Sequence, residues 1–217
     1  KVCNVFTGII EAVGYVANVT QQQGDIRLRV ATQSLDLSDV KLGDSIATNG
    51  VCLTVVTLHG DGFEADVSRE SIAHTRIAQW QMGDKLNLEK AMMPTTRMGG
   101  HIVSGHVDGV GRVQSRKADA RSVRFDIEAP ADLCRYIAAK GSITVDGVSL
   151  TTNALTATGF SLNIVPHTAE QTTLCDLQPG HHVHLEVDVI ARYLEQLLTG
   201  SKTASSAITP SFLAENG

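Results

Sequence analysis

Asn49-Gly50-Val51-Cys52-Leu53-Thr54 and Asp146-Gly147-Val148-Ser149-Leu150-Thr151 are two versions of one phrase, set 149 − 52 = 97 residues apart. The same shift aligns positions far from the phrase. Gly8 meets Gly105, Gly14 meets Gly111, Phe63 meets Phe160, and Gly83 meets Gly180. Ile26-Arg27-Leu28-Arg29-Val30 meets Val123-Arg124-Phe125-Asp126-Ile127 with apolar positions in phase. A one-residue slip would turn a strand's core face outward, so matched phase at a fixed shift identifies a duplicated domain. The copies differ at the reactive position, Cys52 in one and Ser149 in the other.

Working outward, Asn49-Gly50 is a strong hairpin signal. Cys52 to Thr57 follows as a strand, and Gly60-Asp61-Gly62 turns into Phe63 to Val67. Phe6 to Val16 reads as a strand bent or bulged at Gly14, and Ile26 to Val30 alternates strictly. Ser45 to Ala47 and Leu86 to Glu89 complete six short strands. Ser34 to Val40 is a short helical or irregular crossing. Turns every 8 to 12 residues predict a mainly β fold: a small closed barrel or sandwich, made twice.

The expected organisation is a first unit with its linker over 1–96, a second over 97–188, and a C-terminal segment over 189–217. Lys1 to Val5 stand outside the repeat. Val189 to Leu198 has helical spacing, with Ile190, Leu194, Leu197 and Leu198 on one face. It reads either as a helix docked on its own barrel or as an oligomerisation helix. Ser201 to Gly217 is small and polar and reads as a disordered tail.

With net charge −5 and aromatics at 4%, the chain has neither the basic face nor the stacking platforms of a nucleic-acid binder. No apolar run approaches the roughly 20 residues that cross a bilayer. Cys3, Cys52, Cys134 and Cys175 form no C-x-x-C pair, and no signal peptide precedes them, so free thiols in a reducing cytosol are expected.

Cys52 is a nucleophile only as the thiolate and otherwise a small buried residue. Met98 to Gly109 is the richest stretch for chemistry. Its His101 and His106 are five apart and would face opposite sides of a regular strand, which argues against a shared metal. Either could carry protons near neutral pH. Val183, Leu185 and Val187 alternate with His184, Glu186 and Asp188. The latter face reads as solvated, or as a set of carboxylates handling protons and orienting a ligand. The halves differ again where Asp188 meets Ala91, His106 meets Ile9, and His167 meets Glu70.

Five motifs carry a resemblance to one family. They are Phe6-Thr-Gly-Ile-Ile-Glu11, Gly50-Val-Cys-Leu-Thr-Val55, Gly99-Gly-His-Ile-Val-Ser-Gly-His-Val-Asp108, Lys140-Gly-Ser-Ile-Thr-Val-Asp-Gly-Val-Ser-Leu-Thr151 and Pro166-His-Thr168. Together they resemble riboflavin synthase over about residues 6 to 198. Val5 stands where the family has the initiating Met.

The resemblance implies two six-stranded Greek-key β-barrels plus a C-terminal α-helix. Each barrel would bind one 6,7-dimethyl-8-ribityllumazine, in a homotrimer whose site lies between the first barrel of one subunit and the second barrel of a neighbour. The reaction it implies is a dismutation, in which one lumazine gives a four-carbon unit to another, yielding riboflavin and 5-amino-6-ribitylamino-uracil. It implies no cofactor and no metal, a cytoplasmic location, and association with lumazine synthase.

By the same resemblance Ser45, Cys52, His106, Ser149 and Asp188 are the catalytic centre, with Phe6 at its edge and His101 and Glu186 supporting. Substrate contacts would come from Gly8, Ile9 and Ile10, and from Leu53 and Thr54. In the first half Asp66, Val67, Ser68, Arg69, Glu70 and Ser71 would add to them. Gly105 and Val107 would contribute from the second half, with Lys140, Leu150 and Thr151. Val165, Pro166, His167, Thr168, Ala169 and Glu170 would line the second pocket, His167 standing where the family often has Glu. The rival reading is an antenna protein of the same fold that binds lumazine or flavin without turnover.

Overall fold

The computed structural model describes residues 5–22 and 24–200. The repeated phrase forms the same hairpin twice. Strand β3 (Ser45–Thr48) pairs with β4 (Val51–His59), and β9 (Ser142–Val145) with β10 (Val148–Leu155). Asn49 and Gly50 have φ of 44° and 80°, and Asp146 and Gly147 have 45° and 80°. Positive φ at both central residues suits the tight turn that matches strand twist, which explains Asn-Gly and Asp-Gly there.

The remaining strands are β1 (Ala12–Gln22), β2 (Asp25–Ala31), β5 (Gly62–Val67) and β6 (Lys85–Lys90) in the first half. In the second they are β7 (Gly109–Asp119), β8 (Ser122–Glu128), β11 (Gly159–Ile164) and β12 (His182–Val187). All pairs are antiparallel. The sheets close in the orders β1-β2-β5-β4-β3-β6 and β7-β8-β11-β10-β9-β12, so the expected pair of barrels is present. Closure leaves no exposed sheet edge. Phe63 and Phe160 are fully buried at equivalent places in two separate cores. Truncating either to alanine should cost about 3–5 kcal/mol.

Several local expectations change. The first strand begins at Ala12 rather than Phe6, and its register shifts between Val16 and Asn18, not at Gly14. Of the two readings for residues 34–40, the structure shows the irregular one and no helix. Two short helices, α1 (Arg69–His74) and α2 (Pro166–Gln171), arise at the same place in each half. The His184 and Glu186 face is not solvated: both side chains are buried. Alternation correctly put them opposite Val183 and Leu185, but the second face of β12 is covered as well.

The barrels meet with their tight turns touching. A Cβ on Gly50 would fall 2.8 Å from the Gly147 nitrogen, and one on Gly147 2.7 Å from the Gly50 nitrogen. The C-terminal helix α3 (Val189–Gly200) is tied to the second barrel on one side. Arg192 bonds Asp108, and Glu195 bonds Arg135 and Tyr136. Its other side exposes Ile190, Tyr193, Leu194, Leu197 and Leu198. Residues 201–217, expected as a tail, and residues 1–4 lie outside the described residues.

A candidate lumazine site built by exchanged arms

Each barrel is preceded by an irregular arm, residues 6–10 before β1 and 103–107 before β7. The arms pair with one another through Phe6 N–H to Val103 O at 2.8 Å and Val103 N–H to Phe6 O at 3.0 Å. Each then lies on the other half's barrel. Ser149 N–H donates to Gly8 O at 2.7 Å, and Cys52 N–H donates to Gly105 O at 2.8 Å. Ile10 packs on the second core and Val107 on the first. Gly8 and Gly105 share a φ of 75°, and a Cβ on either would sit 2.6 Å from the Cβ of Ser149 or Cys52. Both the backbone conformation and the space require glycine.

Buried carboxylates hold the arms from behind. Glu89 accepts from Thr7 N–H and Oγ–H, both at 2.7 Å, and from Gly8 N–H at 2.9 Å. Glu186 repeats this with Ser104 N–H and Oγ–H at 2.7 Å and Gly105 N–H at 3.0 Å. Burial raises both carboxyls above the usual range while the donors pull them down, and Glu186 is pushed up to about 7. The sequence reading gave Glu186 a supporting role and named Gly8, but missed Glu89 and Thr7. The 97-residue shift was the signal that could have found them.

At the second mouth Ser149 Oγ stands 2.7 Å from His101 Nδ1. Burial lowers the His101 pKa, and the negative charge of Asp188 opposes that shift. Asp188 Oδ1 also accepts from Ile190 N–H at 3.0 Å at the start of α3. At the first mouth Cys52 packs beside Phe6, Ala47, Val103 and Ala91. Ser45 is buried and pairs across the sheet with Thr54. A cavity of about 370 Å³ beside the 6–10 arm is lined by Ile9, Glu89, Ala91 and Gly99 among others. An adjoining one of about 220 Å³ reaches Ser45. The seam cleft of about 520 Å³, with Arg76, Trp80, Lys85 and Asp176, contains none of the expected site residues.

Comparison with known proteins identifies what these mouths belong to. The lumazine binding domain matches twice, over residues 7–91 and 104–188. Riboflavin synthase of Photobacterium phosphoreum is 49% identical over 215 residues, which is 98% of this chain and 99% of that protein. Riboflavin synthase of Bacillus subtilis (strain 168) is 38% identical over 215 residues, covering 98% of this chain and all (100%) of that protein. The chain belongs to the riboflavin synthase family.

The fold is shared with LumP solved in complex with 6,7-dimethyl-8-(1'-D-ribityl) lumazine and with riboflavin, at TM-scores of 0.76 and 0.78. In both, identity is 25% and the match covers 84% of this chain and 98% of LumP. Within this riboflavin synthase fold the expected ligand contacts divide by half. Ser68 caps α1 through Ser71 N–H, Asp66 is paired with Arg27, and the Arg69 guanidinium lies over Gly24. Val165 stands at the N-cap position of α2 without a side-chain cap, and the first turn holds Pro166, His167 and Thr168. Leu53 is buried in the first core, whereas Leu150 is only partly buried. Thr54, Thr151, Lys140 and His106 are exposed.

His101 and His106 lie in irregular chain rather than on a strand, His101 against Ser149 and His106 exposed. Among the described residues no group of three or more His, Cys, Asp or Glu could hold a metal, Cys52, Cys134 and Cys175 form no disulfide, and no helix is long and apolar enough to cross a membrane.

Proposed function

We propose that each mouth holds one 6,7-dimethyl-8-ribityllumazine and that the chain converts the pair into riboflavin and 5-amino-6-ribitylamino-uracil. The carrying observation is a duplicated mouth with unequal chemistry: Cys52 beneath Gly105 in one copy, Ser149 beneath Gly8 and beside His101 in the other. The reaction joins two identical heterocycles in different roles. One must lose a proton from its C7 methyl and the other must be activated at C7. Holding both rings face to face converts an encounter into a positioned step, which can supply several kcal/mol of the acceleration.

The helix α3 supports assembly into a homotrimer. It turns a row of large apolar side chains outward, more than an isolated domain needs. In that assembly the first mouth of one subunit would face the second mouth of another. A cytoplasmic location and association with lumazine synthase belong to the same reading, with no membrane or nucleic-acid partner. They are supported by family kinship and by a net charge of −5.

The likeness to LumP favours a second reading, an antenna that binds the lumazine and does not turn it over. Kinship with riboflavin synthases at up to 49% identity, and the presence of Ser149, His106, Lys140 and Asp188, favour the enzyme. The test is direct. Purified protein is mixed with the lumazine and riboflavin absorbance is followed. Multiple turnovers are expected; stoichiometric binding without riboflavin would select the antenna.

A further inference from the structure

Asp108 follows the 103–107 arm and fastens it to the second barrel. Its N–H donates to Leu185 O at 2.8 Å, and its Oδ2 accepts from Val187 N–H at 2.7 Å. One repeat earlier Glu11 does the same after the 6–10 arm: its N–H donates to Leu88 O at 2.9 Å, and its Oε1 accepts from Lys90 N–H at 2.8 Å. The clamp is therefore common to both halves. What the second half adds is α3, whose Arg192 donates to Asp108 Oδ1. Glu11 is exposed, whereas the Asp108 side chain is only 7% exposed. Exposed ion pairs contribute little, but this carboxylate is shut in beside a second one. Glu186, raised by burial and by the Asp108 charge, holds the Ser104 and Gly105 N–H groups of the same arm. Burial raises the Asp108 carboxyl too, against the pull of Val187 N–H, the Arg192 guanidinium and His106. Removing the guanidinium leaves a buried carboxylate poorly compensated, the costly way to break such a pair. Arg192 is itself held in place, 5.8 Å from the centre of the Tyr136 ring, and Glu195 fastens the same helix to Arg135 and Tyr136.

We propose that Arg192 is a positioning residue for the first mouth, acting through Asp108: the seating of α3 sets the course of the 103–107 arm. That arm places Gly105 O on Cys52 N–H and Val107 on the first core. The second mouth is closed by the other arm, whose clamp carries no helix, so it stands outside this linkage. A displacement of α3 is thus felt at Cys52, in the other barrel, and not at Ser149, in the helix's own.

The effect on turnover rests on the proposed dismutation; the effect on the arm does not, so the two are read separately. Full-length Arg192→Met and Arg192→Lys are compared with the unaltered chain by amide hydrogen exchange, sedimentation and turnover. In Arg192→Met, exchange at Cys52 N–H should rise about fivefold or more, while Ser149 N–H, held by Gly8 O, exchanges as before. Alkylation of Cys52 should speed up with it, and that of the exposed Cys175 should not. Arg192→Lys should recover most of the protection, because it returns the charge. Turnover should fall about tenfold in Arg192→Met and recover in Arg192→Lys. Sedimentation should match that of the unaltered chain. If Arg192→Met does not fold, Asp108→Asn, which keeps an oxygen for Val187 N–H, is put through the same exchange comparison. Equal changes at Cys52 and Ser149, unchanged exchange at Cys52, or a change that appears only after dissociation would overturn the assignment. Raised exchange at Cys52 in a chain that never turns over would remove the dismutation and leave the linkage standing.

Discussion

Asn87 and His184 make the same hydrogen bonds on opposite sides of the seam between the barrels. Asn87 N–H donates to Asn49 Oδ1 at 2.7 Å, and His184 N–H to Asp146 Oδ1 at 2.8 Å. The Asn87 Nδ2 amide donates to Asp146 O at 2.9 Å, and His184 Nδ1 lies 2.8 Å from Asn49 O. Asn87 Oδ1 accepts from Thr173 N–H and His184 Nε2 from Arg76 N–H, each at 2.8 Å. An amide and an imidazole thus serve one role, each with a donor and an acceptor at the same reach. The match fixes the imidazole as neutral, with its proton on Nδ1.

That tautomer predicts an acid response. Burial lowers the His184 pKa below its ordinary value of about 6.5. The neutral ring's contribution is therefore complete above about pH 6.5 and is lost as pH falls below it, by at most about 1.4 kcal/mol per pH unit. Glu89, Asp146 and Glu186, all raised by burial, push the other way, so a variant isolates the effect. His184→Asn should lose less stability than wild type between pH 7 and 5 in urea melts. Parallel curves would refute the assignment.

Glu186 should show the opposite sign. Its carboxyl is raised from 4.5 to about 7, so its contribution is full below about pH 4.5 and declines as pH rises through about 7. Glu186→Gln should flatten that decline. It should also cost about 1–3 kcal/mol, because an amide N–H would meet the Ser104 or Gly105 N–H without an acceptor. Faster hydrogen exchange at both amides, with an unchanged second core, is the expected signature.

The arm exchange is tested at its glycines. Gly105→Ala places a methyl 2.6 Å from the Cys52 Cβ at a φ of 75°, and should cost about 1–3 kcal/mol. It should speed alkylation of Cys52 while leaving Ser149 and its neighbours in place. Gly8→Ala should disturb the Ser149 mouth instead. If Gly105→Ala altered only the second barrel, the exchange would be wrong.

Assembly is tested on α3. Leu194→Glu with Leu197→Glu places charges on the outward apolar face without touching Arg192 or Glu195. Sedimentation should show monomers, with turnover strongly reduced and each barrel still folded. Full activity from such monomers would refute a site shared between subunits.

The sequence carried the barrels because strands announce themselves locally: a period of two, a tight turn, and a 97-residue echo of both. It could not announce the arms. Ile10 and Val107 are apolar residues in irregular chain, and nothing near them says that each belongs to the other half's core. The solvated alternative for the His184 face failed for a related reason. Alternation places a side chain on a face, but whether that face meets water depends on a second domain. The Ser149–His101 contact was legible only as two residues of interest 48 apart, brought together by the same crossing.

Asp188 separates chemistry from binding most sharply. It occupies the position of Ala91 in the first half, caps α3 through Ile190 N–H, and acts on His101 by its charge. Asp188→Asn keeps the size and the capping oxygen but removes that charge. Lumazine affinity, read by fluorescence titration, should change little. Turnover should fall by about 10- to 100-fold, since the lost interaction favours a charged state formed only during reaction. Thermal stability should stay within about 1 kcal/mol of wild type, because the cap survives. Equal losses in affinity and turnover would mean that Asp188 holds the ligand rather than its reaction.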